Sequence, residues 1–205
     1  GTGKEIKINS KLIWAQRISY VGELGYELYI YMKDAKDIYQ TIMDKGKVFN
    51  VSNCGFHAMD IMRMERGFLH WGHDISPEEN QYQAGLEFTI NYKKNVEFIG
   101  KEALLKIKEK KVDKRLLMFV LENSKPGEPL MLHDEPIYVD NKIIGRTTSG
   151  NYSFNFDKNL SYGYVNSGNT IEKLKNKKIF IEVEKIKYPA NILEKPLNSK
   201  NYKTI

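Results

Sequence analysis

The chain has 205 residues, of which 41% are hydrophobic and 12% aromatic, and this composition is typical of a globular protein rather than a disordered chain. Its formal net charge of +6 permits an anionic ligand but does not by itself indicate a nucleic-acid partner. The single cysteine excludes an internal disulfide framework, and no apolar run approaches membrane-spanning length. Because the chain also opens without a charged-then-apolar leader, we expect a soluble, cytoplasmic protein with no membrane partner.

The first part of the chain predicts a β-hairpin. Residues 12–20 alternate between two faces, and one face carries Leu12, Trp14, Gln16, Ile18 and Tyr20. Residues 21–25 contain two glycines, which are typical of a turn, and residues 26–31 resume the alternation. The pattern therefore places Tyr20 at the entrance of the turn and Glu27 at its exit.

Two helices are predicted next. Asp34 is a candidate N-cap for a helix that ends near Gly46. A second helix begins near Cys54, and its predicted apolar face consists of Gly55, Ala58, Met59 and Met62. Arg66-Gly67 would end this helix, and Asp60 and Arg63 are close enough in sequence to meet on its surface.

The rest of the chain predicts a mixed segment and then a β module. Residues 74–83 read as a loop, residues 85–92 as a strand and residues 100–110 as a lysine-rich amphipathic helix. From residue 115 several short strands follow, and Asp140-Asn141 is a two-residue hairpin signal between two of them. We expect an α+β fold with a domain at residues 1–112 and a small antiparallel β-barrel at residues 113–205.

Polar and aromatic residues cluster in two places that could bind a ligand. Around the predicted turn, glycines let the backbone approach a ligand, and the Glu27 carboxylate could accept two N–H donors from one edge of a heterocycle. A hairpin with exposed acids explains the same pattern. The second place follows the second helix, where the chain carries Phe68, His70, Trp71, His73 and Asp74.

Two other interpretations of these residue types are weaker. His70, His73 and Asp74 could ligate zinc or iron, but the spacing is loose and no second ligand pair is evident, so we expect no metal. Cys54 is better explained as a buried structural residue than as a nucleophile activated by His57. The basic run at residues 101–115 lacks interleaved aromatic residues, so we expect no nucleic-acid partner.

Five ordered blocks of the sequence resemble the glycine cleavage system T-protein family of aminomethyltransferases. They are RISYVGELGYELYI at residues 17–30, HAMDIMRMERGFLHWGHDI at 57–75, AGLEF at 84–88, FIGKEALL at 98–105, and GRTTSGNYS followed by LSYGYV at 145–165. The block at residues 57–75 is more similar in sequence to the C-terminal folate module of sarcosine and dimethylglycine dehydrogenases than to T-proteins. There the usual folate-contacting arginine of T-proteins is replaced by an apolar residue, as it is here by Met59.

The resemblance implies a C-terminal part of the T-protein folate-binding domain followed by the family's barrel. It implies tetrahydrofolate as cofactor and an aminomethyl or iminium group as donor. In this family Tyr20 would lie against the pterin and Glu27 would hold its amino and ring N–H groups. His70 and Trp71 would line the site, and Tyr202 in the C-terminal tail would add a further contact.

The family's catalytic aspartate belongs to an N-terminal segment that this sequence does not match. We therefore assign no catalytic residue and expect a C-terminal fragment or a subunit that positions folate, with a companion chain as a possible source of the other half. Whether the chain takes part in an enzyme is left open. The alternative is a non-catalytic folate-binding or assembly subunit with the same fold.

Overall fold

The structure is a computed structural model, and it describes residues 1–110, 112–166, 168 and 171–198. The described chain divides into two compact units, Gly1–Arg63 and residues 64–198. Each unit is described by itself below. The sequence-based domain division near residue 112 stays a prediction.

The first unit contains a three-stranded antiparallel sheet. Its strands are β1 (Gly3–Ile8), β2 (Lys11–Gln16) and β3 (Glu27–Tyr29), in the order β1-β2-β3. The pairing of β2 with β3 confirms the predicted hairpin, although both strands are shorter than the alternation suggested. Strand β1 was not predicted. A signal for it was present in Asn9-Ser10, since both residues have positive φ angles (47° and 64°) and form a tight two-residue turn.

Helix α1 spans Met32–Gly46 and is followed by a 3-10 turn at Lys47–Phe49. The prediction of Asp34 as its N-cap is wrong, because the N-cap position belongs to Tyr31, which makes no side-chain capping bond. Asp34 instead lies in the first helical turn, where its carboxylate accepts from Lys11 at 2.9 Å. A carboxylate in the first turn favours the helix through its dipole without acting as a cap.

Helix α2 spans Phe56–Arg66, and Gly67 ends it with a φ of +86°, as predicted. The predicted apolar face is wrong, since Ala58 is exposed whereas Ile61 and Met64 are buried. The sequence pattern failed here because two charged residues, Arg63 and Glu65, are buried next to the apolar ones. Spacing of apolar residues alone cannot reveal that a charged side chain will find a buried partner.

The segment between α2 and the barrel has little regular structure. Residues 85–92 do not form the predicted strand, and contain instead a 3-10 turn at Glu87–Thr89. Gly85 has a φ of +73°, and the Thr89 and Ile90 amides donate to carbonyls three residues back, which turns the chain out of an extended conformation. Helix α3 spans Lys101–Glu109 and confirms the predicted lysine-rich helix.

The remainder forms a closed six-stranded antiparallel barrel with the strand order β4-β7-β6-β5-β8-β9. The strands are β4 (Lys114–Leu121), β5 (Pro136–Val139), β6 (Lys142–Ser153), β7 (Lys158–Asn166), β8 (Ile179–Val183) and β9 (Ile186–Leu193), with the short helix α4 (Ile171–Leu174) before β8. Asp140-Asn141 forms the predicted β5–β6 turn, with φ angles of 48° and 62°. The α+β fold with a C-terminal barrel is thus confirmed.

The barrel interior supplies the main apolar core. Fully buried members include Phe119, Ile137, Val165 and Ile181. They come from four different strands, so the core forms only when the barrel closes. Across the described residues, no helix combines the length and apolar content that crossing a membrane requires.

Strands β6 and β7 approach each other so closely at Gly145 that a side chain has no room. A Cβ at this position would lie 1.8 Å from the backbone oxygen of Tyr164 and 3.0 Å from the Cα of Val165. Because the obstacle is backbone within a paired ladder, it cannot rotate away as a side chain would.

We expect Gly145→Ala to lower the free energy of unfolding of the barrel by about 3 kcal/mol, the upper end of the usual overpacking cost. Urea denaturation followed by circular dichroism measures it. The matched control is Gly25→Ala, where the new methyl group would meet Ser19 at an ordinary 3.4 Å. Equal stability of the two variants would contradict the assigned β6–β7 register.

Candidate ligand-binding site

One face of the three-stranded sheet is open. Along β2, Ile13 and Ala15 are buried, whereas Trp14 between them is 44% exposed. Trp14 is opposite Glu5 on one side and opposite Tyr29 on the other. Residues directly opposite in an antiparallel pair point to the same face, so these three side chains share the open face.

Glu27 lies on the same face because it precedes Tyr29 by two positions in β3. It is exposed, and the hydroxyl of Tyr29 donates to its Oε2 at 2.9 Å. This hydrogen bond to the carboxylate raises the pKa of the Tyr29 hydroxyl above its usual value. The alternative interpretation, a hairpin with exposed acids, also predicts an exposed Glu27.

A cavity of about 420 Å³ opens on this side of the sheet. Its lining is mostly aromatic and aliphatic with one acid: Glu5, Leu12, Ile13, Trp14, Tyr29, Ile30 and Tyr31. Aromatic walls with few polar groups are typical of small-molecule sites. Sequence reasoning missed Trp14 and Tyr29 as site residues, although their alternation with Glu27 was a signal that could have identified them.

Tyr20 lies between β2 and β3 and is half-buried. The turn after it contains Gly22, which is buried with a φ of +72°, a conformation that favours glycine. A smaller cavity of about 140 Å³ adjoins this turn and is lined by Arg17, Ile18, Ser19, Glu23, Leu24 and Gly25. Tyr20 and Glu27 therefore belong to one compact unit, on either side of a glycine-containing turn.

His70 and Trp71 belong to the second compact unit, in the loop that follows α2. His70 is half-buried and its ring stacks on His73 with a centroid distance of 4.5 Å, while Trp71 is 65% exposed. Tyr202 lies outside the described residues. The roles of all five predicted residues remain predictions.

Asp74, in the same loop, is completely buried and accepts hydrogen bonds from at least three donors. Its Oδ1 accepts from the hydroxyls of Thr148 at 2.6 Å and Ser149 at 2.8 Å, and its Oδ2 accepts from the backbone N–H of His70 at 2.9 Å. Neighbouring residues of a regular strand point to opposite faces. The register shift between Thr147 and Ser149 in β6 is a bulge, which lets both adjacent hydroxyls reach one carboxylate.

A third cavity, of about 530 Å³, lies between this loop and the barrel. On one side Lys114 donates to Glu79 at 2.6 Å and lies 4.8 Å from the centroid of the Tyr164 ring. The hydroxyl of Tyr164 donates to the backbone oxygen of Asp74, and burial raises the pKa of that hydroxyl. The Lys114–Glu79 and Tyr164–Asp74 contacts thus connect the loop to the barrel.

The described residues include no group of three or more His, Cys, Asp or Glu arranged to hold a metal ion. In the loop, the three hydrogen bonds to Asp74 already engage both of its carboxylate oxygens. The interpretation of Cys54 as a buried structural residue is wrong, because this cysteine is exposed.

Two family models match the chain. The model of the GCVT N-terminal domain matches residues 1–94, and the model of the glycine cleavage T-protein C-terminal barrel domain matches residues 114–198. The second match coincides with the observed barrel, which begins at Lys114.

Curated relatives include the mitochondrial dimethylglycine dehydrogenase of Homo sapiens, which is 36% identical over 196 residues covering 95% of this chain and 22% of that protein. The aminomethyltransferase of Halothermothrix orenii is 36% identical over 149 residues, which cover 73% of this chain and 40% of that protein. The chain therefore spans less than half the length of either relative. A cytoplasmic location stays a prediction.

Among solved structures, the glycine cleavage system aminomethyltransferase T from Bartonella henselae has the same fold, with a TM-score of 0.77 at 22% identity. The likeness covers 90% of this chain and 49% of that one. The predicted fold, a partial T-protein domain followed by its barrel, agrees with this match.

Asp74→Ala would leave two barrel hydroxyls and one backbone N–H without their acceptor. We expect a loss of about 3 kcal/mol in the free energy of unfolding, because each of these donors loses a hydrogen bond to a buried charged acceptor. The control is Glu78→Ala, an exposed acid in the same segment, where we expect a change within about 0.5 kcal/mol. Denaturant unfolding monitored by circular dichroism distinguishes them, and a stable Asp74→Ala protein would contradict the central role of this carboxylate.

Proposed function

We propose that this chain, which belongs to the glycine cleavage T-protein family, is part of a tetrahydrofolate-dependent protein that transfers a one-carbon unit in amine or glycine catabolism. In this proposal the chain positions folate. Tetrahydrofolate would supply the nucleophilic nitrogen that receives the carbon from an aminomethyl or iminium donor.

The observation that carries the proposal is the placement of Glu27 on the same open sheet face as Trp14 and Tyr29, where it accepts a hydrogen bond from the Tyr29 hydroxyl. A carboxylate can accept two parallel N–H bonds from the edge of a flat heterocycle, and such charge-assisted bonds are stronger than neutral ones. Aromatic side chains beside it offer surfaces on which a ring can stack. The predicted contacts of Tyr20, His70, Trp71 and Tyr202 with folate belong to the same proposal.

The rate advantage in such a site would come mainly from proximity and orientation. Holding the folate ring by its N–H edge would fix the direction in which its nucleophilic nitrogen faces the donor carbon. The group that holds or moves a proton at that nitrogen is assigned to no residue of this chain. We propose that it comes from a T-protein N-terminal half, in the same polypeptide or in a companion chain.

The binding test uses tryptophan fluorescence, since the chain has only two tryptophans. In a Trp71→Phe background, Trp14 is the remaining reporter and lies on the face that carries Glu27. We expect tetrahydrofolate, kept under anaerobic conditions, to quench this fluorescence saturably. Glu27→Gln should weaken binding at least tenfold, about 1.4 kcal/mol, because the amide replaces one acceptor oxygen with a donor.

The control for the loss of charge is Glu102→Gln, an exposed acid in the first turn of α3. It should leave the affinity unchanged. Saturable quenching that Glu27→Gln does not weaken would remove Glu27 from the site. Folate binding without any one-carbon transfer, after an N-terminal half is supplied, would favour the alternative of a non-catalytic binding subunit.

A further inference from the structure

We propose that Tyr29 is a positioning residue for Glu27, and that it makes the site selective for heterocycles with two adjacent N–H donors. The inference rests on the proposed function, because it deepens the role of the same face of the sheet. Tyr29 would act through the carboxylate of Glu27 and, together with Trp14, would form the aromatic wall beside it.

The geometry places the two side chains in one arrangement. Glu27 and Tyr29 are two residues apart in β3, so both point to the open face. The Tyr29 hydroxyl donates to Oε2 of Glu27 at 2.9 Å. Trp14 is directly opposite Tyr29 in the paired strand β2, so both aromatic side chains leave the sheet on the same face.

The hydrogen bond matters because Glu27 is otherwise an exposed, flexible side chain. Ordering a glutamate side chain when a ligand binds costs rotamer entropy. A donor that holds one carboxylate oxygen before the ligand arrives reduces this cost at the moment of binding, which is the general effect of preorganisation.

The same bond gives the site a preference among ligands. An amino group beside a ring N–H presents two donors to the oriented carboxylate. In a ring that carries a carbonyl in place of the amino group, the carbonyl oxygen would face a carboxylate oxygen of Glu27. The ligand would then have one donor fewer, and its carbonyl oxygen would be desolvated without a hydrogen-bond partner. Selectivity of this kind depends on the angle of the carboxylate, which Tyr29 controls.

The first experiment tests the contact itself, without any ligand. The protein is labelled with ¹³C at tyrosine Cζ, and the Tyr29 resonance is assigned by its absence from the Tyr29→Phe spectrum. The chemical shift of this resonance is then followed as a function of pH. The hydrogen bond to Glu27 raises the pKa of the Tyr29 hydroxyl above its ordinary value, so Glu27→Gln should lower that pKa towards the ordinary value. A Tyr29 titration that is the same in both proteins would overturn the proposal.

The second experiment measures selectivity, using a reduced pterin and the matching lumazine, which has a carbonyl in place of the amino group. We expect Tyr29→Phe to reduce the pterin-to-lumazine affinity ratio about tenfold with an unchanged melting temperature. In a Glu27→Gln background, Tyr29→Phe should have no further effect on that ratio. Tyr26→Phe, which removes a neighbouring exposed phenol, is the control and should leave the ratio unchanged.

The outcomes separate the two proposals. If Tyr29→Phe lowers the affinities for the pterin and the lumazine equally, Tyr29 has a merely structural role and this inference is overturned. Folate binding by the wild-type protein would in that case leave the proposed function intact. If the wild-type protein binds neither folate nor pterin, the proposed function fails and the selectivity role fails with it, whatever the titration shows of the contact.

Discussion

The second compact unit depends on hydrogen bonds between buried carboxylates and hydroxyl groups of the barrel. Glu65, in α2, accepts from the Ser153 hydroxyl at 2.6 Å, and Asp74 accepts from two adjacent hydroxyls of β6. A buried charge without such partners would cost several kcal/mol. The loop that presents His70 and Trp71 is therefore held in place by the closed barrel, and a local disturbance of β6 would reach it.

The first unit has a different constraint, which is the pairing register of its sheet. Pairing Gln16 with Glu27 and Trp14 with Tyr29 sets an acid and two aromatic rings on one open face. A slip of one residue would turn these side chains to the buried face. The candidate site is thus a product of strand register, and its carboxylate accepts a hydrogen bond from Tyr29 of the same strand.

The chain matches only part of the length of its relatives. Family membership rests on two family-model matches that together include residues of both units. About half of the solved relative's chain lies outside the part that this chain matches. An exposed carboxylate with an aromatic wall is suited to holding a ring in a fixed direction. The proposed role is therefore positioning.

The sequence alone determined the β2–β3 hairpin, the end of α2 at Gly67, the Asp140-Asn141 turn and most of the barrel strands, and its ordered motifs identified the family. These features depend on local periodicity and on the backbone preferences of single residues. Tertiary structure decided which face of α2 is buried, replaced the predicted strand at residues 85–92 with a 3-10 turn, and supplied two donors of Asp74 that lie 74 and 75 residues away along the chain. Such partners come from distant positions, so no local pattern can specify them.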